Sequence, residues 1–318
     1  MTLQQMADLI TPMAVRVAVT LRIAHRITAG RRLAGELADD VAADADALER
    51  VLLHLVSAGL FDRDEAGAFS LTERGEQLLA EPPPWWDLDS ALGRADLSVT
   101  RMLDTVRTGA SAYTAQYGRT FWDDLDADPS WSAQFDAALA RGVTRRARDV
   151  AQAYDWAALG DVVDVGGGDG TLLAALLRAH PALRGTVVER TSEAAKRTLH
   201  DAGLSDRADA VAGSFFDPLP PGAGGYVLAR IQSNWGDADV RAILRRCGEA
   251  AGARGKVVVI DEFAAGEAVV TADDLRMLVY FGGKERTAAQ VGDLAADVGL
   301  TLESRIPVGE WTILEFRG

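Results

Sequence analysis

The stretch VVDVGGGDGTLL, residues 162–173, limits what this chain can fold into more than any other feature. An apolar strand that runs straight into glycines and then a helix is the ligand-binding turn of a doubly wound α/β sheet. Glycines are needed there because a side chain would block a ligand from approaching the backbone. Gly166, Gly168 and Gly170 follow G-x-G-x-G, whereas dinucleotide sites read G-x-G-x-x-G. No Gly-Lys-Ser/Thr follows, which excludes a phosphate-binding loop. Asp164, just ahead of the glycines, would repel a diphosphate and suits a sulfonium ligand that also carries an ammonium group.

Downstream the pattern alternates strand and helix, the signature of a βαβ sheet. Strands are predicted at Val162–Val165, Gly185–Glu189, Ala208–Ala212, Gly225–Ala229 and Lys256–Asp261. Helices are expected near 170–180, 191–202, 237–251 and 287–298. The end breaks the alternation, because Thr301–Pro307 and Glu310–Phe316 form a hairpin with no helix between them. Glu189 ends the second strand, where a carboxylate accepts hydrogen bonds from both ribose hydroxyls of a nucleoside. The third strand ends in AGSFFDPLP, which puts Gly213, Ser214 and Phe215 where an adenine ring would be gripped. Arg230, after the fourth strand, is assigned to the same cofactor set.

The first half reads differently. Residues 12–29 form a helix ended by Gly30, followed by helices Leu33–Val41 and Ala45–Gly59. Leu48, Val51, Leu52 and Leu55 line one face of the last. Asp64-Glu65-Ala66-Gly67 then turns between two short strands, a winged-helix arrangement. The would-be recognition helix carries Asp44, Asp46 and Glu49 against Arg50, and the chain as a whole has a net charge of −14. Both disfavour phosphate backbones, so dimerisation rather than DNA reading is expected of this region. Helices are expected around 89–108 and 130–153, flanking an aromatic stretch (Tyr113, Tyr117, Phe121, Trp122) that serves either as core packing or as the wall of a planar-substrate pocket. The expected organisation is residues 1–90 as a winged-helix-like dimerisation domain, 91–153 as a helical segment contributing to a substrate pocket, and 154–318 as the nucleoside-binding domain. The single cysteine, Cys247, permits no internal disulfide, and no signal-like or membrane-length apolar run is found. A cytoplasmic protein with no nucleic-acid partner, no membrane and no metal is expected.

The chain resembles the class I S-adenosylmethionine-dependent small-molecule O-methyltransferases of actinomycete aromatic-polyketide and plant phenolic pathways. The likeness is carried by ADLITPMAVRVAVTLRIAHRI and LLHLVSAGLF in the first half, and by VVDVGGGDG, GSFFDPLP, AILRRCGEAAG and DLRMLVYFGGKERT in the second. It implies a Rossmann-like sheet with a terminal antiparallel hairpin, S-adenosyl-L-methionine as cofactor, a homodimer and an aromatic or polyketide-like substrate. It also implies a substrate pocket walled by Phe135, Leu139, Trp235, Met277 and Phe281.

One departure from the family matters. Where such enzymes carry a His general base after the fourth strand, this chain reads Arg230-Ile231-Gln232-Ser233-Asn234-Trp235, with Ser233 at the His position. A neutral Ser with no adjoining base does not take a proton near pH 7. Ser233, Asn234, Asp261 and Glu285 are therefore the catalytic candidates, the two acids standing near positions where family members flank the base. Methyl transfer by proximity and orientation, without a His, is the first reading. The alternative is a homologue that keeps the cofactor as an electrostatic element and catalyses hydroxylation, decarboxylation or cyclisation.

Overall fold

The computed structural model describes residues 2–266 and 270–318, in two compact units, Met1–Leu97 and Ser98–Gly318. In the first unit the single helix expected over 12–29 is two, Ile10–Thr20 and Ile23–Thr28. Arg22 breaks them apart in the left-handed region (φ 52°), and the Arg26 guanidinium takes over the freed Leu21 carbonyl at 3.1 Å. Helices Ala34–Val41 and Ala45–Ser57 follow, the second capped by the Asp44 carboxylate on the Ala47 amide. Its buried face is Leu48, Leu52 and Leu55, with Val51 at the margin of the same core. The wing pairs Phe61–Arg63 with Phe69–Leu71, antiparallel, and both phenylalanines are buried.

The second unit is a seven-stranded sheet with helices on both faces. Its strands are β1 (Asp161–Val165), β2 (Arg184–Glu189), β3 (Ala208–Ala212), β4 (Gly225–Ala229), β5 (Lys256–Asp261), β6 (Thr301–Val308) and β7 (Trp311–Arg317). Their order across the sheet is β3-β2-β1-β4-β5-β7-β6. The first five run parallel, and β7 lies antiparallel to both β5 and β6. Apolar runs such as Val257–Ile260 arise because both faces are covered. Val162, Val187, Val227 and Val258 pack toward helices Pro129–Ala153 and Thr171–Ala179. Their neighbours Val163, Val188, Tyr226 and Val257 pack toward Asp237–Ala251 and Ala288–Ala296.

The strand order reverses between β1 and β4, which opens a crevice at their carboxyl ends. Further elements depart from the sequence reading. Two short helices, Ala112–Tyr117 and Phe121–Ala127, fill the aromatic stretch, each started by a hydroxyl cap, Ser111 and Thr120. A helix that the alternation does not announce, Ala272–Phe281, follows β5. The helix expected near 89–108 is Ala91–Leu97 in the first unit and Met102–Thr108 in the second. Among the described residues no helix is long and apolar enough to cross a membrane.

Candidate active site

The glycine turn sits at the carboxyl end of β1. Gly166 has φ 72°, and a Cβ there would come within 2.6 Å of Ile231 Cδ1 and 3.3 Å of Phe215 Cε1. Any side chain would thus fill the crevice and strain the backbone. The Gly168 amide donates to Glu189 Oε2 at 3.0 Å, and the Arg190 amide to Oε1 at 2.9 Å. Those two bonds aim the Glu189 carboxylate across the turn. The Gly213 amide donates to the Glu189 carbonyl at 2.8 Å, which brings the ends of β2 and β3 together, with Ser214 and Phe215 half-buried just beyond.

Beneath the turn lies Asp164, 1% exposed. Neither carboxylate oxygen has a hydrogen-bond partner among the described residues, and the nearby Leu173 amide is the smallest of the influences on it. Burial, reinforced by the charges of Glu189 and Asp169, pushes its pKa up to about 7. Asp136, on helix Pro129–Ala153, feels the same two charges and burial, and is pushed up to about 6. A cluster of acids around an unpartnered buried carboxylate fits a cationic nucleoside ligand and opposes a phosphorylated one.

The turn after β4 is a single 3₁₀ helix, Gln232–Asn234. Arg286, 4% exposed, clamps it from behind. Its Nη1 donates to the carbonyls of Gln232 (2.9 Å) and Lys284 (3.0 Å). Its Nη2 donates to the Trp235 carbonyl (2.9 Å) and to Asp237 Oδ1 (2.6 Å). A Cβ on Gly283 would lie 2.2 Å from the Ser233 carbonyl oxygen, so only glycine lets the two segments close. Gln232 is buried and its amide reaches Asp261 Oδ2 at 3.4 Å. Burial raises the Asp261 pKa to about 6, against the opposing pull of Arg230.

The aromatic residues form one connected wall. Trp122 lies nearly parallel to Trp235 (5.6 Å between centroids, 11°) and to Phe281 (5.1 Å, 21°). Phe135 meets Trp122 edge-on at 5.8 Å. Trp235 in turn meets Phe215 at 5.6 Å, which joins this wall to the end of β3. Leu139, one turn beyond Phe135 on the same helix, is exposed, and Met277 lies half-buried on the helix that ends in Phe281.

The structure thus brings together Asp164, Gly166, Gly168, Glu189, Gly213 and Phe215, and joins Phe135, Trp235 and Phe281 in one wall. Arg230 lies elsewhere: it takes φ 59°, and its guanidinium is 4.0 Å from Asp261 Oδ1, 3.8 Å from Glu262 Oε2 and 5.9 Å from the Trp311 ring centre. Those partners belong to β5, its following residue and β7, on the side of β4 away from the glycine turn. Glu285 accepts from the Thr271 hydroxyl at 2.8 Å, at the start of helix Ala272–Phe281. His180 and His200 cannot serve Ser233. His180 bonds the Ala151 carbonyl, and His200 lines a polar groove of about 560 Å³ at the opposite, amino-terminal ends of β1–β3. Two residues beside these groups had not been singled out in the sequence, Asp136 and Arg286. Neither had a signal, because helical acids and loop arginines are ordinarily solvated. Trp122, from the aromatic stretch left open between core packing and a pocket wall, stacks on Trp235 and Phe281.

Residues 100–301 match the O-methyltransferase domain family, and residues 3–81 match the O-methyltransferase dimerisation domain. The chain is 51% identical to a 2,7-dihydroxy-5-methyl-1-naphthoate 7-O-methyltransferase of Streptomyces carzinostaticus, over 98% of this chain and 96% of that one. It is 40% identical to an aclacinomycin 10-hydroxylase of Streptomyces purpurascens, over 99% and 89%. Among solved structures it is similar to an O-methyltransferase of neocarzinostatin biosynthesis in complex with S-adenosylmethionine and 2-hydroxy-5-methyl naphthoic acid. The TM-score is 0.94 at 50% identity, covering 100% of this chain and 99% of that one. With a nucleoside crevice, an aromatic wall and a dimerisation domain all in place, the chain belongs to the S-adenosylmethionine-dependent O-methyltransferase family of natural-product tailoring enzymes.

Proposed function

We propose that this enzyme methylates a phenolic hydroxyl of a naphthoate-like aromatic acid, as a cytoplasmic homodimer, with no imidazole general base. The observation that carries the cofactor half is Asp164, a buried carboxylate without a partner under a side-chain-free turn. The acceptor class rests on the flat wall of Trp122, Trp235 and Phe281 and on the naphthoate chemistry named for the 51% relative. The buried free thiol of Cys247 supports a reducing compartment.

In this reading Glu189 takes the ribose hydroxyls, Ser214 and Phe215 border the adenine, and Asp164 with Asp136 balances the positive charge. When bound, S-adenosylmethionine supplies an electrophilic methyl group on a sulfonium. The protein's part is then to orient and to exclude water. Phe135, Leu139, Met277 and the indole wall hold the acceptor ring, while Ser233 and Asn234 contact its hydroxyl as neutral hydrogen-bonding groups. Alignment of that kind supplies effective molarities of about 10⁵ M or more, so an acidic phenol needs no dedicated base. Arg230, paired with Asp261, shapes the turn behind Ser233 and does not contact the cofactor. Glu285 anchors the helix that presents Met277 and Phe281.

The test is to incubate the enzyme with S-adenosylmethionine and hydroxynaphthoates and to count S-adenosylhomocysteine against product; the proposal requires one for one. One observation favours a second reading, cofactor retention without methyl transfer: the 40% relative named as a hydroxylase. Product formed while the cofactor stays intact would establish that reading instead. Ser233→Ala is expected to keep kcat within about threefold of the parent, because the hydroxyl moves no proton. A loss of a hundredfold or more would show that it does. Trp122→Ala is expected to raise the acceptor KM about tenfold with a smaller effect on kcat, the size of one lost aromatic stack. An unchanged KM would remove Trp122 from the wall.

The raised acids also set a pH dependence. Asp164 and Asp136 ionise near pH 7 and 6, and a cationic ligand favours their ionised forms. Affinity is therefore expected to climb as pH rises through 6 to 7 and to level off above about 8. Binding near pH 6.5 should release protons, read by calorimetry in buffers of different ionisation enthalpy. Proton uptake would mean that the acids are not facing the charge.

A further inference from the structure

We infer that Arg190 is a positioning residue that ties the aromatic acceptor wall to cofactor occupancy, so that the two ligands bind with positive coupling. The inference rests on the reading above that Glu189 holds the ribose hydroxyls. Arg190 follows Glu189 directly, and its amide donates to Glu189 Oε1 at 2.9 Å. Its side chain leaves the cofactor crevice for a different element. Nη1 donates to the Trp122 carbonyl at 3.1 Å and pairs with Asp126 Oδ1 at 2.6 Å. The guanidinium also stands 5.5 Å from the centre of the Trp122 ring. One side chain thus makes three contacts with the seven-residue helix Phe121–Ala127, and Trp122 is the residue on that helix that stacks against both Trp235 and Phe281.

The same guanidinium faces a second anion, since its Nε is 3.8 Å from Glu189 Oε1. Glu189 and Asp126 therefore share one cation. Donors from a ribose satisfy Glu189 and weaken its hold on Arg190, which shifts the guanidinium toward Asp126 and the Trp122 carbonyl. The Arg190 and Glu189 side chains are 30% and 20% exposed, so that pair is less screened than an open surface pair. Asp126 is 57% exposed, and the Trp122 carbonyl contact is half-buried. The consequence is an indole wall that is best ordered when the cofactor is in place. By reciprocity the acceptor must then strengthen cofactor binding by the same factor.

The test uses the full chain, with 1,4-dihydroxy-2-naphthoate as the acceptor probe and S-adenosylhomocysteine as the cofactor probe. Calorimetry gives the Kd of each alone and with the other saturating. In the parent, each is expected to bind about five- to tenfold tighter in the presence of the other. In Arg190→Ala that factor should fall to within about twofold of one, while S-adenosylhomocysteine alone binds within about threefold of the parent. Asp126→Ala, which removes one of the three contacts without touching the crevice, should lower the factor part of the way. Arg190→Lys should recover part of it, because an ammonium can pair with Asp126 but lacks the fork that also reaches the carbonyl. A coupling factor of one in the parent, or an unchanged factor in Arg190→Ala, overturns the inference. Failure of S-adenosylhomocysteine to bind the parent at all would instead remove the cofactor reading beneath it.

Discussion

Asp164→Asn is expected to weaken S-adenosylmethionine binding by about a hundredfold or more while making the ligand-free protein more stable at pH 8. The two effects have one cause. Asp164 is a carboxylate held in a buried site with no partner of its own. Its folded pKa of about 7 lies above the ordinary carboxylate value of 3.8. The folded state therefore binds more protons than the unfolded one between those limits, and stability falls as pH rises through that window. Above pH 7 the penalty is complete, up to about 4 kcal/mol for a three-unit shift. Asparagine has the same shape and removes that penalty, less whatever its own unpaired amide costs, so a gain of about 1–3 kcal/mol is expected. At about 3 °C per kcal/mol for a unit of this size, the melting temperature should rise by several degrees at pH 8 and little at pH 5. Deleting one member of a buried ligand charge pair costs about 2–5 kcal/mol of affinity, hence the hundredfold loss. Thermal melts at the two pH values and a binding isotherm check both halves. A variant less stable at pH 8 with unchanged affinity would mean that Asp164 is a structural residue.

Arg286→Met carries the opposite signature, loss of both stability and turnover. The Arg286 side chain is 1% exposed and tied to Asp237, which is 47% exposed. Its fork also holds the carbonyls of Gln232, Lys284 and Trp235. Methionine keeps much of the volume and leaves those carbonyls without their donor. Breaking such a network costs about 3–5 kcal/mol. Because Gln232 and Trp235 bracket Ser233 and Asn234, the turn should lose its shape, and kcat should fall by about a hundredfold, the effect of misplacing reacting groups by an ångström. Arg286→Lys should lie between the two, since one ammonium cannot reach all these acceptors. Urea titration and steady-state kinetics measure the outcome. Parent-like kinetics in a stable Arg286→Met protein would show that the turn holds its own shape.

The contrast between these residues shows what the sequence could reveal. Asp164 was legible because it stands in a strand–glycine–helix run whose geometry is local. The five parallel strands were legible for the same reason, as short β-branched runs spaced by helical periods, and so was the hairpin that ends in Phe316. Arg286 was not, because its partners Gln232, Trp235 and Asp237 lie about fifty residues away and nothing in GGKERT reports them. Glu285, next to it, drew attention as an acid and proves to bond the Thr271 hydroxyl. The helix Ala272–Phe281 hid because it follows β5 where the alternation led directly to the next predicted helix. Asp136 is one acid among many on a polar helix face, and only the fold sets it within reach of the charges of Glu189 and Asp169. Arg230 was grouped with the cofactor by its place after β4. Its left-handed backbone and its pairing with Asp261 direct it toward β5 and β7.

In the proposed mechanism, Ser233 stands where the family resemblance implies a His, and the turn would contribute orientation rather than proton abstraction. The most direct measurement follows the methyl group itself. Enzyme, cofactor carrying a trideuterated methyl group, and a hydroxynaphthoate are mixed in a single turnover, and the product is analysed by mass spectrometry and NMR. The expected product is an aryl methyl ether carrying all three deuterons, with one S-adenosylhomocysteine formed per product. An altered naphthoate without deuterium, accompanied by intact cofactor, would contradict it.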